Sequence, residues 1–253
     1  MATSSTLEAE ARRAMLLSSL ERDGKIQLER AAAELGVSSM TVRRDLDELA
    51  SEGLLRRVRG GAVSALGPRP FSERRAVQFR AKTVIADKAL ALIPASGAIA
   101  LDASTTASTI GSKLGDRPGL TVATNSHENF VAVRRSPGIA AVLIGGEAEE
   151  KTDSFVGLIA CRAAESMLYQ RFFASASAVD STHGTSEVSL PESQVKRAFA
   201  GAARETVLCI DSSKLGQQSV ALGFSLHEIA IMVTDLDPRD SRLDEYRDLV
   251  KLR

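Results

Sequence analysis

Apolar residues recur at helical spacing three times near the start of the chain, which predicts three amphipathic helices. The apolar stripes are Ala14, Leu17 and Leu20; Leu28, Ala32 and Leu35; and Val42, Leu46 and Leu49. Gly24 and Gly36 are expected to end the first two helices, and Ser38 is expected to cap the third. Helix, helix, tight turn and helix is the order of a helix-turn-helix.

The segment GLLRRVRGGA follows the third helix directly and has a different pattern. Gly53 is expected to end the helix, Leu54 and Val58 to pack inwards, and Gly60–Gly61 to form a turn. The segment therefore predicts a short two-stranded wing whose arginines point away from the core.

Strand and helix patterns alternate along the rest of the chain, beyond a boundary that contains proline and glycine. Segments such as AIALD, LTVAT, RFFASASAVD and TVLCID predict strands, and TVIADKALALI, HENFVAVRRS and LPESQVKRAFAGAA predict helices. This alternation favours a Rossmann-like α/β domain with a mostly parallel sheet. We predict a winged helix-turn-helix domain at residues 1–62, a linker at 63–77 and a second domain at 78–253. The C-terminal DPRDSRLDEYRDLVKLR is expected to form a charged helix, either solvated or at an interface.

Four polar residues follow the last apolar position of a predicted strand, namely Asp102, Asn125, Asp180 and Asp211. Ligands of open α/β sheets bind outside the carboxyl ends of the strands, so a shared pocket is expected there. Any one of these residues could instead be an ordinary loop or cap residue. Their common position is what favours a binding site.

The segment DASTTAS places Ser104, Thr105 and Thr106 where a strand turns into a helix. Free amides, the positive end of the helix dipole and added hydroxyls make such a turn a candidate phosphate site. The alternative is an N-cap with extra hydroxyls. Because neither GxGxxG nor GxxxxGK[ST] is present, a small phosphorylated ligand fits better than a nucleotide.

The charges are balanced overall but unevenly distributed. The 253 residues carry 32 basic and 32 acidic side chains. One stretch holds eight of the basic residues against Glu73 alone: Arg56, Arg57, Arg59, Arg69, Arg74, Arg75, Arg80 and Lys82. Such a stretch suits a phosphate backbone.

The remaining composition narrows the class of protein. The chain has two cysteines, three scattered histidines, no signal-peptide pattern and no apolar run long enough to span a membrane. We therefore expect a cytoplasmic protein without a metal site or a cofactor.

Arg43 and Arg44 lie on the third helix outside its apolar stripe. Arginine can bind guanine or phosphate from a recognition helix, and short hydroxyl side chains fit either role. The alternative is a solvated face on which these arginines pair with Asp47 and Glu48.

The segment LGVSSMTVRRDLDELASEGLLRRVRGGA resembles the winged helix-turn-helix of the DeoR family of bacterial transcription regulators. The segments LDASTTA, LTVATNS, LIGGE, ESQVKRAF and DSSKLG resemble the effector domain of the same family. The resemblance implies a second domain similar in fold to ribose-5-phosphate isomerase and CoA-transferase-like proteins. It also implies a phosphorylated-sugar effector that releases the protein from DNA.

The site residues are then as follows. DNA contacts are expected from Ser38, Ser39, Thr41, Arg43 and Arg44, with the wing residues Arg56, Arg57 and Arg59. Ser104, Thr105 and Thr106 would hold the phosphate, and Asp102, Asn125, Asp180, Glu192, Lys196, Asp211 and Lys214 would line the sugar or brace the pocket.

One departure from the family pattern bears on catalysis. In SASAVD, Ala178 replaces a glycine, and Ser177 stands where an isomerase-like protein would place an acid. Isomerisation needs a positioned base, for which Glu192 or Asp180 could still serve, but the set is incomplete. We therefore expect a non-enzymatic repressor of a carbohydrate-utilisation operon, acting as a homo-oligomer (dimer or tetramer) on double-stranded operator DNA. The alternatives are an isomerase-like enzyme with a fused DNA-binding domain and a ligand-independent DNA-binding protein.

Overall fold

The computed structural model describes residues 3–23, 25–51, 54–64, 71–149 and 152–253. The chain divides into two compact units, Met1–Gly67 and Pro68–Arg253. Among the helices of the described ranges, none combines the length and the hydropathy of a membrane span.

The first unit has the predicted helix-turn-helix order. Its elements are α1 Thr3–Asp23, β1 Lys25–Gln27, α2 Leu28–Leu35, α3 Ser39–Ser51, β2 Leu55–Val58 and β3 Gly61–Ser64. Gly36 ends α2 in the left-handed conformation, with φ 64°. The ends predicted at Gly24 and Gly53 fall outside the described residues.

The core of this unit confirms the stripe on α3 and corrects the one on α1. Val42, Leu46 and Leu49 are all buried. On α1, Leu16 and Leu20 are buried, whereas Ala14 is exposed. Leu16 and Leu20 lie four residues apart on one face, and burying a leucine removes more apolar surface from water than burying an alanine.

The predicted two-stranded wing is confirmed as the antiparallel pair of β2 and β3, and β1, from between α1 and α2, adds a third strand to this small sheet. β3 lies between β1 and β2 and pairs antiparallel with both. A Cβ on Gly61 would lie 1.8 Å from the Ile26 carbonyl oxygen, so β1 can approach only because position 61 is glycine. The inward position is Leu55, which is 3% exposed, and not Leu54, which is 48% exposed.

The second unit is built on a seven-stranded parallel sheet, which confirms the predicted α/β class. Its strands are β4 Gly97–Leu101, β5 Leu120–Thr124, β6 Ala140–Leu143, β9 Tyr169–Ala174, β12 Ala203–Cys209, β14 Ile231–Val233 and β15 Lys251–Leu252. They are arranged in the order β15-β14-β12-β9-β4-β5-β6.

Helices cover both faces of this sheet. The helices are α4 Phe71–Ala76, α5 Phe79–Leu90, α6 Thr105–Ser112, α7 His127–Val133, α8 Gly157–Glu165 and α9 Leu190–Gly201. Buried residues of α5, α6 and α7 share one apolar cluster with Phe173, whereas α8, α9 and the 3₁₀ helix Ser241–Tyr246 share the other with Phe172. The range predicted as a linker, 63–77, thus includes the end of β3 and the whole of α4.

Two smaller sheets lie outside the main one and correct two predictions. They are β10 Ala178–Asp180 with β11 Gly184–Glu187 and β13 Ala221–Leu222, and the hairpin of β7 Glu147–Glu149 and β8 Ser154–Val156. RFFASASAVD is therefore not one strand, because β9 ends at Ala174 and β10 pairs elsewhere. The predicted C-terminal helix is a 3₁₀ turn followed by β15, since Leu243 and Tyr246 are buried and β15 completes the sheet edge.

Candidate functional site

The start of α3 carries the three hydroxyl side chains that were assigned to DNA binding. Ser38 caps the helix, because its Oγ accepts a hydrogen bond from the Thr41 amide at 3.1 Å and lies 2.9 Å from Thr41 Oγ1. Ser39 Oγ donates to Glu29 Oε2 of α2 at 2.7 Å. The hydroxyls therefore fix the start of the helix and its packing on α2.

Arg43 and Arg44 are exposed on α3. The alternative pairing with Asp47 and Glu48 is not formed: Asp47 pairs with Arg57 at 2.8 Å, and Glu48 pairs with Arg13 at 2.5 Å. Within the described ranges, neither Arg43 nor Arg44 forms an ion pair or a side-chain hydrogen bond.

The wing arginines differ in their surroundings. Arg59 is exposed beside the turn at Gly60, whereas Arg56 and Arg57 are half-buried. Besides its pair with Asp47, Arg57 donates from Nη1 to the Gly61 carbonyl at 2.8 Å. Arg57 therefore joins α3 to the wing.

A partly buried ion pair that the sequence reasoning missed holds the inner face of α3. Asp45 is 4% exposed and receives two hydrogen bonds from Arg12 of α1, Nε at 2.5 Å and Nη2 at 3.0 Å. Paired bonds of this kind fix geometry as well as charge. Asp45 lies on the inner face of α3, as Val42 does, but no local sequence pattern indicates that its partner is 33 positions away.

In the second unit, Asp102 is the centre of a polar cluster at the carboxyl edge of the sheet. It follows β4 directly and is fully buried. Oδ1 accepts from the Ser104 amide at 3.0 Å, and Oδ2 accepts from the Ser175 amide at 2.7 Å. Lys196 Nζ of α9 lies 3.1 Å from the same Oδ2.

Lys196 has a second carboxylate partner, Glu187, which the sequence analysis did not single out. Its Nζ donates to Glu187 Oε1 at 2.5 Å and to the Ser175 carbonyl at 2.8 Å. Burial alone would lower the pKa of Lys196, but Glu187 and Asp102 outweigh it and raise that pKa, so the ammonium stays charged. Ser175 follows β9 as Asp102 follows β4, so its position at a strand end could have identified it as a site residue. No comparable sequence pattern identifies Glu187.

Lys214 and Asp211 extend this cluster from the end of β12. Lys214 Nζ donates to the Ala176 carbonyl at 2.6 Å and lies 3.8 Å from Asp211 Oδ2. Burial lowers the pKa of Lys214, and Asp211 opposes that effect. We call Asp102, Ser175, Glu187, Lys196, Asp211 and Lys214 the edge cluster.

The hydroxyl residues of α6 lie beside the edge cluster. Ser104 is an N-cap, with its Oγ accepting from the Ala107 amide at 3.0 Å, and its own amide donates to Asp102. Thr105 Oγ1 donates to the Arg74 carbonyl of α4 at 3.4 Å, and Thr106 is buried. The cap interpretation therefore holds for Ser104, and the cap stands next to buried cations.

Two buried amides flank this region. Asn125 Nδ2 donates to the Phe155 carbonyl at 2.9 Å, and Asn129 of α7, which the sequence analysis missed, donates to the Asp102 carbonyl at 2.7 Å. The Oδ1 atom of each has no hydrogen-bond partner among the described residues. Glu192 is also buried and accepts from Ser154 Oγ at 3.0 Å.

Asp180 ends a strand, as predicted, but that strand, β10, is not part of the main sheet. Burial would raise its pKa, but hydrogen bonds from the amides of His183 at 2.8 Å and Thr182 at 2.9 Å lower it. No hydrogen bond or ion pair among the described residues joins Asp180 to the edge cluster.

Lys82, counted above in the stretch suited to a phosphate backbone, is buried in the second unit. Its Nζ donates to the carbonyls of Arg74 at 2.5 Å and Val77 at 2.7 Å. Burial and the nearby charge of Lys214 lower the pKa of Lys82 to about 8, against the opposing effect of Asp211. The assignment of Lys82 to the DNA-facing stretch is therefore wrong.

A winged helix-turn-helix with outward arginines, joined to an α/β unit with a polar cluster at its carboxyl edge, defines the class of DNA-binding transcriptional regulators. The helix-turn-helix domain described as DeoR-like matches residues 12–66, and the DeoR C terminal sensor domain matches residues 77–236. The chain belongs to the DeoR family of transcriptional regulators.

Individual relatives agree with this assignment. The chain is 31% identical over 238 residues to the lactose phosphotransferase system repressor of Lactococcus lactis subsp. lactis, covering 91% of this chain and 92% of the relative. It is 31% identical over 236 residues to the L-fucose operon activator of Haemophilus influenzae, covering 92% of this chain and 94% of the relative.

Among solved structures, ribose 5 phosphate isomerase A from Neisseria gonorrhoeae aligns over 53% of this chain and 52% of its own, with 17% identity and a TM-score of 0.37.

Proposed function

We propose that this regulator represses a carbohydrate-utilisation operon and leaves its operator when a phosphorylated sugar binds the second unit. One observation supports this most directly. The α6 N-terminus, with its three hydroxyl residues, is joined through Asp102 to the buried ammonium group of Lys196. Amides, hydroxyls and a desolvated cation together are the groups that bind a phosphate or a hydroxylated sugar.

On the DNA side, Arg43 and Arg44 are the candidate base readers, with Ser38, Ser39 and Thr41 at the start of the same helix. Two observations support this assignment to base reading. Arg43 and Arg44 form no competing ion pairs in the described ranges, and Arg12 and Asp45 hold α3 in place. Arg56 and Arg59 are proposed phosphate contacts from the wing.

The proposed effector residues are the edge cluster with Ser104, Thr105, Thr106, Asn125 and Glu192. Asp180 remains only a candidate for the outer rim of the pocket. An effector changes DNA binding only if it binds the DNA-free and DNA-bound states with different affinity.

A thermal-shift titration tests the effector. Purified protein is screened against paired phosphorylated and free sugars. A ligand at about 100 times its dissociation constant adds roughly 2.7 kcal/mol of stability. We expect a response to one phosphorylated sugar and none to its free form, and a response to the free sugar alone would contradict the proposal.

Thr105→Ala then tests the site, with Thr109→Ala on the same helix as the matched control. Thr109 Oγ1 donates to the Thr105 carbonyl and stands one turn further on. We expect Thr105→Ala to keep operator binding but to lose ligand-induced release, and Thr109→Ala to keep both. Release by the Thr105 variant at the wild-type ligand concentration would show that the phosphate binds elsewhere.

We propose further that the second unit is not catalytic. Glu187 could supply the carboxylate that Ser177 lacks, but it is already bound to Lys196 and Ser177. Asp180, the other candidate base, lies outside the edge cluster. Incubation with ribose 5-phosphate should give no isomerised product, and measurable turnover would favour the enzyme alternative.

A homo-oligomer is part of the proposal because paired operator half-sites match a two-fold protein. Leu158 and Ile159 on α8 and the nearby Leu168 are exposed apolar side chains that could contribute to its interface. Light scattering of the purified protein measures the mass of the oligomer directly.

Because both cysteines are free thiols, we retain the cytoplasm as the proposed location.

A further inference from the structure

Helix α4 contacts the proposed phosphate site through the carbonyl group of Arg74. Thr105 Oγ1 donates to the Arg74 carbonyl at 3.4 Å, and Lys82 Nζ donates to the same oxygen at 2.5 Å. A hydroxyl at a helix N-terminus and a buried ammonium group thus converge on one acceptor. Both groups are donors of the kind that also bind a phosphate oxygen.

Lys82 faces charged groups from three elements. Arg74 belongs to α4, Asp211 follows β12, and Lys214 lies in the 3₁₀ helix Ser212–Lys214 that comes next. Lys82 itself is 5% exposed. Two carbonyl oxygens compensate a buried ammonium only partly, whereas a phosphate dianion would neutralise it and its neighbour Lys214.

Apart from these contacts, α4 is held by the side chains of Phe71 and Arg74, of which Arg74 donates from Nη2 to the Thr152 carbonyl at 2.9 Å. Only Phe71 of this helix is buried, and Ser72, Glu73, Arg75 and Ala76 are exposed. Ser72, Arg75 and Ala76 also line a cavity of about 620 Å³. An element with few buried apolar contacts opens at low free-energy cost.

The junction between α4 and α5 is held in an unfavourable backbone conformation. Gln78 has φ 54°, in the left-handed region that residues with a Cβ rarely adopt. Lys82 Nζ bonds the Val77 carbonyl immediately before this residue, and the Lys82 amide bonds the Gln78 carbonyl at 3.0 Å. Loss of the Nζ bonds would therefore release both the end of α4 and the strained residue.

We propose that a phosphate bound at the α6 N-terminus competes with the Arg74 and Val77 carbonyls for Lys82, and so detaches α4. This inference rests on the proposed function, because it concerns the regulation of the same site. α4 is the first described helix after the DNA-binding unit along the chain. Detachment of α4 would therefore alter the stretch of chain that connects the second unit covalently to the DNA-binding unit.

Hydrogen exchange of the full chain tests this directly, with inorganic phosphate as the probe and chloride at equal ionic strength as the reference. We expect phosphate to slow exchange of the amides at 104–107 and to speed exchange of those at 71–77. Slowed exchange at 104–107 with unchanged or slower exchange at 71–77 would leave the effector site standing and overturn the coupling. No change at 104–107 would overturn the site and the coupling together.

Lys82→Met is the decisive variant, and Lys88→Met is its matched control. Lys88 lies on the same helix and also donates to two carbonyls, those of Thr234 at 2.8 Å and Leu236 at 2.6 Å. We expect Lys82→Met to weaken phosphate binding about tenfold or more. It should also speed exchange at 71–77 before any phosphate is added and abolish the further response.

Lys88→Met should leave both readouts as in the wild type. Thr105→Val should weaken phosphate binding as Lys82→Met does, but should leave exchange at 71–77 without phosphate near that of the wild type, because the Lys82 bond to the Arg74 carbonyl is the shorter of the two. Wild-type phosphate affinity and wild-type exchange at 71–77 in Lys82→Met would overturn the proposal.

Discussion

Ser177 Oγ, immediately before β10, donates a 2.9 Å hydrogen bond to Glu187 Oε2 at the end of β11. The carboxylate that the sequence lacks at position 177 is thus present in space, supplied by β11. Glu187 is simultaneously paired with Lys196, which also pairs with Asp102. One buried cation therefore holds two buried carboxylates, and this arrangement predicts an unequal response to mutation.

Lys196→Met should destabilise the second unit more than Glu187→Gln does. Removing the lysine leaves two buried carboxylates without their cation, at a cost of about 3–5 kcal/mol. Removing the Glu187 charge leaves Lys196 paired with Asp102, at a cost of about 1–3 kcal/mol. Thermal unfolding of both variants measures this order, and a larger loss in Glu187→Gln would show that Asp102 alone does not hold Lys196.

Arg43→Ala or Arg44→Ala should weaken specific operator binding about tenfold or more without changing the fold. Neither side chain is used for packing or pairing within the described ranges, so its loss should be felt only by DNA. A gel-shift titration with far-ultraviolet circular dichroism measures both properties. Arg22→Ala is the control, because Arg22 is exposed in the same unit and pairs with its neighbour Asp23. Wild-type operator affinity in both α3 variants would contradict the recognition-helix assignment.

Arg57 should affect DNA binding through the position of the wing. It joins Asp47 on α3 to the Gly61 carbonyl on β3. If this bracing is its role, Asp47→Ala should weaken operator binding as Arg57→Ala does, although it removes a negative charge. If Arg57 contacts phosphate instead, Asp47→Ala should leave affinity unchanged or raise it. Binding titrations of the two single variants and the double variant separate these cases.

The lowered pKa of Lys82 predicts a pH dependence of stability. Below pH about 8, Lys82 is protonated in both the folded and the unfolded protein; between about 8 and its ordinary value of 10.5, the unfolded chain holds the proton more strongly. Unfolding then takes up a proton, so the Lys82 contribution to stability rises with pH across this window, by at most about 1.4 kcal/mol per pH unit.

Comparison with Lys82→Met isolates that contribution. The stability of the wild type relative to the variant should increase between pH about 8 and 10.5 and stay level below it. Thermal unfolding of both proteins in matched buffers, followed through the transition of the second unit, measures this difference in stability. Parallel curves for the two proteins would mean that Lys82 does not titrate in this range.

The sequence by itself determined the elements whose cause is local. Val42, Leu46 and Leu49 lie on one face of any helix formed there, Gly36 accepts the left-handed conformation at a helix end, and alternating strand and helix patterns require a covered parallel sheet. Asp102 and Asn125 followed from the same logic, because the carboxyl ends of parallel strands share one edge.

Only the tertiary structure decided which groups meet across long separations. Whether Leu54 or Leu55 points inwards depends on pairing with β3, and Asp180 ends a strand of the small antiparallel sheet and not of the main sheet. Glu187 and Lys82 are unremarkable in the sequence. Their importance comes from burial beside Lys196 and the Arg74 carbonyl, and the energy of a buried charge is set by neighbours that no local pattern specifies.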